Sequence, residues 1–489
     1  MILSYLYDYV KFNNISLYAL IALGLLSVVK YFKFPLPLSP RLSVGLAVAV
    51  GLALRIAWVC FSSHAPRMSW ETAQPPIENE LINLHAIDIT KGIWFINPDG
   101  TPSARRPIGY PVFLGALYKI FGIHLSVAWL SNLALYLVTI LLVFLIARRV
   151  LAIREAVTAT WLFALYPISI YASKLTTDEN LFLPVWYAGG FLLLREIQTD
   201  NSRPLWPWYS LLFGYATMIR THTIYMPVVV GLAMLWRKKP WRKIVIRMAL
   251  VALVMLLPNL PWIIRNYRIW KVPVLYTTNG QCIYQEFNSS SKPEGGGWVP
   301  KRGEADFSEE MERAEQSGNE GLVQKYANQA LVRWIVRHPG EALHLGIPRF
   351  LYFMNWNRAG GVWPIWYQYY ENVFDPRRPL SEPLRKVLEE AAFTYYYFVL
   401  FTFLVSLGMI YSKWKSFPEE KRVGLLILAS SFLFWCAEQL VIHPERKYRY
   451  PLEPWMMMAA SVFINFVLYE LRWEYAWAGI RARFRRRAV

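Results

Sequence analysis

The sequence predicts an all-α polytopic membrane protein with a small, mostly helical extracytoplasmic domain, and three observations carry that prediction. Of its 489 residues 55% are hydrophobic and only 17% are charged, against the ~25% charged usual in soluble domains. Apolar runs of about 20 residues recur along the whole length, each enough to cross a ~30 Å hydrocarbon core. These runs are continuous, whereas strands of a membrane-spanning barrel alternate over about ten residues.

In chain order the runs fall at 15–33, 42–62, 125–147, 151–174, 178–196, 206–220, 223–237, 243–264, 393–414, 422–442 and 449–471, about eleven transmembrane helices. The first contains "ISLYALIALGLLSVV", which has the apolar core of a signal peptide. Asp8 precedes it with only Lys11 as a base, and no small-x-small cleavage site follows, so it reads as a retained helix. The segment 108–122, "IGYPVFLGALYKIFG", is too short to span and belongs at the interface. The helices 206–220 and 223–237 are short and meet at "RTHT". That hairpin tip stops below the outer surface and sets Arg220 beside a water-filled cavity.

Orientation follows from Lys and Arg, which concentrate in "KYFKFPLPLSPR", "ARRVLAIR", "REIQTDNSR", "WRKKPWRK" and "KWKSFPEEKR". Under the positive-inside rule these connections face the cytoplasm, with the N-terminus outside and the C-terminus inside. A first loop, 63–124, and a larger segment, 265–392, then fall outside. The latter opens with "EGGG" and continues as "ADFSEEMERAEQSGNEGLVQKYANQALVRWIVRHP", a turn-rich start followed by soluble helices. The chain divides into an N-terminal transmembrane module, 1–264, an extracytoplasmic domain, 265–392, and C-terminal transmembrane helices, 393–489, ending in the basic "RARFRRRAV".

The formal charge of +19 is accounted for by these loops and the tail, so membrane lipids rather than nucleic acid are the expected partners. Cys60, Cys282 and Cys436 form no spaced set, which argues against a zinc site or a disulfide framework. The many Trp and Tyr residues are expected at the two membrane interfaces. Asn288 opens an "NSS" sequon, with nothing else pointing to a secretory-pathway host.

Acids stand where the first loop begins, in "PPIENELINLHAIDITKGIWF". Glu78 is followed by Ala86 eight residues on and Gly92 fourteen residues on. Further along come "ARRPIGYPVFLGALYKIFG", "LYPISIYASKLTTDENLF", "FGYATMIRTHTIYMP", "LPNLPWIIRNYRIW" and "HPERKYRYPLEPWMMMAAS". This order, from about 42 to 465, resembles the GT-C superfamily of membrane glycosyltransferases, which use polyprenyl-phosphate sugars. The branch it looks like contains protein mannosyltransferases and lipid A aminoarabinose transferases. In that family an acid of the first outer loop, usually Asp, is the catalytic base, followed by Ala and Gly at this spacing. Glu78 takes that position here, with Glu80 as the second candidate. The resemblance also places Arg106, before Pro107, and Arg449 near the lipid phosphate, and gives Glu179 as the acid opening a helix. The "TTDE" around Glu179 reads equally as a cap with first-turn acids.

The chemistry agrees. Attack on a sugar phosphate needs the acceptor hydroxyl deprotonated, work for a positioned carboxylate. The phosphate leaving group needs no acid but does need charge stabilisation by Arg or Lys. The topology gathers Arg105, Arg106, Arg265, Arg446, Lys447 and Arg449 at the outer face, where Arg265 and Arg220 join the donor-phosphate set and Lys447 supports it. His85 is seven residues from Glu78, on the same face of a helix. Glu438 is expected to pair with one of the outer bases. Arg55, inside an apolar span, either faces a cavity or snorkels.

The expected activity is an inverting transfer of a monosaccharide, hexosyl or pentosyl, from a polyprenyl-phosphate donor to a glycan, lipid or protein acceptor. The alternatives are a lipid-linked sugar flippase or other transporter and an oligosaccharide ligase. No cofactor is required by this reading, and a divalent metal stays open. The expected location is the plasma membrane, a bacterial inner membrane with the site on the periplasmic side.

Overall fold

The computed structural model describes residues 24, 38–62, 68, 78–97, 99–199, 204–277, 279–292, 297–354, 362–365, 381–441 and 445–471, and for Glu78, Asn79, Asn279 and Arg446 only the backbone. The expected span 15–33, Gly24 apart, and the tail beyond 471 lie outside these residues.

The first half holds α1 (Pro40–Phe61), α2 (Glu78–Thr90), α3 (Gly109–Phe121), α4 (Leu125–Val150), α5 (Ile153–Ala164), α6 (Pro167–Ala172), α7 (Glu179–Gln198), α8 (Trp206–Ile219), α9 (Met226–Trp236) and α10 (Trp241–Trp270). Then come α11 (Asn279–Glu286), α12 (Glu309–Gln316), α13 (Glu320–Arg337), α14 (Pro339–Phe353), α15 (Glu382–Ser412), α16 (Glu419–Glu438) and α17 (Glu453–Asn465). Among the described residues there is no strand beyond one isolated bridge, Ile96 to Pro102.

Four of these helices, α1, α4, α10 and α15, are long and apolar enough to cross a membrane. The segment 151–174 is broken into α5 and α6 because Pro167 lacks an N–H and opens a new helix after Leu165. The interfacial segment is α3, thirteen residues long, and Tyr118 on it donates to Asn83 Oδ1 of α2 at 2.7 Å. Ala86 of α2 is fully buried, and a Cβ on Gly115 of α3 would come within 2.9 Å of the Ala86 carbonyl. Gly92 ends the α2 turn at φ +80°, a conformation that costs glycine little. The Ala–Gly spacing behind Glu78 is therefore what α2 needs to pack on α3 and then reverse.

Most of "KYFKFPLPLSPR" lies outside the described residues, while the described basic connections, those at 147–154, 195–199, 236–243 and 413–422, gather at one end of the bundle. There Arg237 pairs with Glu419 at 3.1 Å, Gln198 donates to the Glu420 carbonyl, Lys421 donates to the Leu151 carbonyl at 2.8 Å, and Arg247 pairs with Glu196. Inside the bundle α8 lies so close to α10 that a Cβ on Gly214 would run into the Met255 carbonyl. Asn259 bridges the pair, donating to the carbonyls of Gly214 and Met255 at 2.9 Å each. Small residues permit such backbone approach in membrane helices. Gly214→Leu should therefore force the two helices apart and cost about 1–3 kcal/mol, read as a lower melting temperature in detergent.

Arg55 does not snorkel. It is fully buried, donating to the carbonyls of Gly51 (2.8 Å) and Ala164 (3.0 Å) and to Ser169 Oγ (2.8 Å), with its guanidinium 3.6 Å from the Tyr136 ring centroid.

A second apolar core forms among α11–α14, from Tyr284, Phe287, Met311, Ala327, Leu331, Trp334 and neighbours. Arg349 of α14 pairs with Glu286 at 3.2 Å, both buried. Burial lowers the Arg349 pKa to about 10, and Glu286 opposes the shift. The sequon residue Asn288 is 1% exposed, its Nδ2 donating to the carbonyls of Tyr284 (2.7 Å) and Trp298 (3.0 Å), so it is no glycan acceptor in the folded chain.

Candidate functional site

At the end of the bundle away from the basic connections, five segments distant in sequence meet. Helix α2 brings Glu80, His85 and Asp88, all buried; Glu78 is its first residue, with its side chain outside the description. The turn before α3 brings Arg105 and Arg106. The start of α7 brings Asp178 and Glu179, the α8–α9 tip brings Arg220 and His222, and residues 445–449 bring Lys447 and Arg449.

Arg220 is the hub of the α7–α8 contact. One Nη lies 3.0 Å from Asp178 Oδ1 and also pairs with Glu179 Oε1. Thr177 Oγ1 donates to the other Glu179 oxygen, and Tyr448 lies under the guanidinium at 5.3 Å. The acids of "TTDE" thus face Arg220, and neither caps α7: Asp178 makes no side-chain cap bond.

Next to Arg220, Thr221 and Tyr276 share a hydroxyl–hydroxyl bond of 2.8 Å. His222 Nδ1 lies 2.9 Å from Glu438 Oε2, with the imidazole between Trp435 (4.6 Å) and Tyr448 (5.3 Å). Glu438 therefore pairs with His222, and of the 446–449 bases the side chains of Lys447 and Arg449 are described. Those bases are engaged locally: Lys447 with Glu445 at 2.8 Å and Arg449 with Glu453 at 2.6 Å. Arg449 also donates to the Phe353 carbonyl at 2.8 Å and lies 3.7 Å from the Tyr396 ring centroid.

Burial pushes the Tyr276 hydroxyl up to about 12, against its bond from Thr221; Glu438 adds to the rise and Arg220 opposes it. Burial also raises the Cys282 thiol, with Arg106 and Lys447 near enough to pull it back. His85 stacks on Phe95 at 4.3 Å. Its burial, and then the nearby Arg106 charge, lower its pKa to about 4. It is a neutral ring at neutral pH. Arg106 is thus close to both His85 of α2 and Cys282 of α11, between the first loop and the second core.

Arg265, expected at the phosphate, is turned to the backbone. It donates to the carbonyls of Ser103 (3.0 Å), Trp94 and Phe95 (3.2 Å each), under Trp262 at 4.5 Å. The residues sequence reading missed are His222, Tyr276, Tyr448 and Glu320. "RTHT" signalled a tip, but His222 and Glu438 are 216 residues apart and nothing local links them. Among the described residues no group of three or more His, Cys, Asp or Glu is placed to hold a metal.

Residues 105–262 match the profile of the family described as dolichyl-phosphate-mannose-protein mannosyltransferase. No curated protein matches the chain. It is similar to archaeal oligosaccharyltransferase AglB from Archaeoglobus fulgidus, solved with an inhibitory peptide and a dolichol-phosphate. Identity there is 14% and the TM-score 0.43, over 87% of this chain and 50% of that one. It is also similar to ArnT from Cupriavidus metallidurans bound to undecaprenyl phosphate, at 14% identity and a TM-score of 0.40, over 87% of this chain and 77% of that one. The chain spans about half the length of the archaeal oligosaccharyltransferase chains it matches. The profile match covers the stretch from the Arg105–Arg106 turn to α10, about a third of the chain.

Proposed function

We propose that this chain is an inverting glycosyltransferase that moves a monosaccharide from a polyprenyl-phosphate donor to a glycan, lipid or protein acceptor. The site lies on the outer side, periplasmic in a bacterial inner membrane. The observation that carries this reading is the gathering of acids and bases at the end of the bundle opposite the basic connections.

In the reaction the acceptor oxygen bonds to the anomeric carbon as the bond to the phosphate oxygen breaks on the opposite face. Glu78 takes the acceptor proton, with Glu80 as the second candidate. One displacement inverts the centre, and a phosphate leaving group removes the need for the acid that a glycosidase supplies. Arg106 holds the departing phosphate. Arg220, Arg265 and Arg449, engaged with acids and carbonyls, act by holding the walls; Glu179, His85 and Lys447 support them.

The experiment is transfer of labelled sugar from polyprenyl phosphate to membranes by purified protein. Arg106→Ala should cut turnover about 10- to 150-fold, the worth of one charge-assisted bond of about 1.5–3 kcal/mol, with the protein still folded. Label that crosses the bilayer without forming a product would support a flippase instead.

A further inference from the structure

The loop between α2 and α3 is fastened from two sides. Phe95 is 1% exposed yet has φ +54°, rare for a bulky residue. Such a backbone persists only where its surroundings over-determine it. Arg265 of α10 supplies one set of restraints through the carbonyls of Trp94, Phe95 and Ser103.

Glu320 supplies the other. It is the first residue of α13, the helix that carries much of the second core. Its Oε2 accepts from the Ala104 N–H at 2.9 Å and from Thr277 Oγ1 at 2.7 Å. Its Oε1 accepts from Ser103 Oγ at 3.1 Å and lies 3.3 Å from Arg105 Nε. The Thr277 N–H closes the set on the Ala104 carbonyl at 2.9 Å. The Arg105 side chain is 71% exposed, so that ion pair contributes little. The backbone and hydroxyl bonds, on a carboxylate only 15% exposed, carry the restraint.

Two residues past Ala104 comes Arg106, then Pro107. A residue before proline is confined to extended backbone. With one side fixed by Pro107 and the other by Glu320, the direction in which Arg106 leaves the chain is set.

We infer that Glu320 is a positioning residue: through the backbone of 103–105 the α11–α14 unit fixes Arg106 for the donor phosphate. This rests on the reading of Arg106 given above. The carboxylate touches no substrate in this scheme. It acts by holding geometry, where misplacement by about 1 Å can cost up to ~100-fold.

The test is the dissociation constant of the purified full chain for undecaprenyl phosphate in detergent, with the melting temperature measured alongside. Glu320→Ala should weaken binding about tenfold, and Glu320→Asp should recover part of it. Thr277→Val removes one of the bonds and should weaken binding two- to threefold, which keeps the test open if Glu320→Ala does not fold. A lower melting temperature with unchanged binding in these variants would make Glu320 a fold contact only and overturn the inference. Unchanged binding in Glu320→Ala beside weakened binding in Arg106→Ala would overturn the inference and leave the transferase reading standing. Unchanged binding in both would remove Arg106 from the phosphate site, and the inference with it.

Discussion

Glu78→Gln is expected to abolish transfer, by about 10²- to 10⁴-fold, the usual worth of a positioned general base. The amide keeps the size of the side chain and most of its hydrogen bonds but cannot take a proton. Binding of undecaprenyl phosphate should survive, because the proposed mechanism gives the phosphate to Arg106 rather than to Glu78. Glu78 lies on α2. Glu80 is buried on the same helix, and Glu80→Gln should retain most activity. Exchanged results would move the base to Glu80. Activity in both variants would remove the transferase mechanism and favour the flippase.

Arg220→Ala should be the most destabilising single change at this end of the bundle. The buried Glu179 and the half-buried Asp178 would be left facing one another without that cation. Removing one member of a buried ionic group costs about 3–5 kcal/mol, mostly the penalty for the charge left behind. Arg220→Lys should recover only part, since a compact, strongly hydrated ammonium keeps the charge but not the planar guanidinium that lies over Tyr448. A melting temperature unchanged from wild type in Arg220→Ala would show that the trio adds nothing to stability. Replacing Arg220, Asp178 and Glu179 together by Leu, Asn and Gln should recover much of the loss.

What the sequence made legible follows from which forces are local. Helix positions were readable because apolar runs and prolines act within a few residues: α1 and α4 begin and end within a few residues of the expected limits, and α10 begins near its expected start but runs six residues past the expected end at 264. The shared end of the basic connections followed from composition, and bonds such as Lys421 to Leu151 join them. The break at Pro167 was visible as a residue but was passed over in a run of apolar ones. Partner choice was not legible. Arg449 lies four residues from Glu453 and pairs with it, while Glu438 pairs with His222. Glu320 and Ala104 are separated by 216 residues. Only packing brings such pairs together, and one sequence holds no record of it.

The buried guanidinium of Arg55 has a consequence for how the chain is made. Its acceptors at Phe163, Ala164 and Ser169 are synthesised more than a hundred residues after it. At about 5–20 residues per second, α1 waits on the order of 5–20 s before they emerge. Until then it carries a charge that costs about 2.5–3.5 kcal/mol at the centre of an inserting helix. During biogenesis α1 is therefore a poor anchor by itself. It becomes a settled one only when the nascent chain delivers α5 and α6, which makes their arrival a checkpoint in membrane insertion.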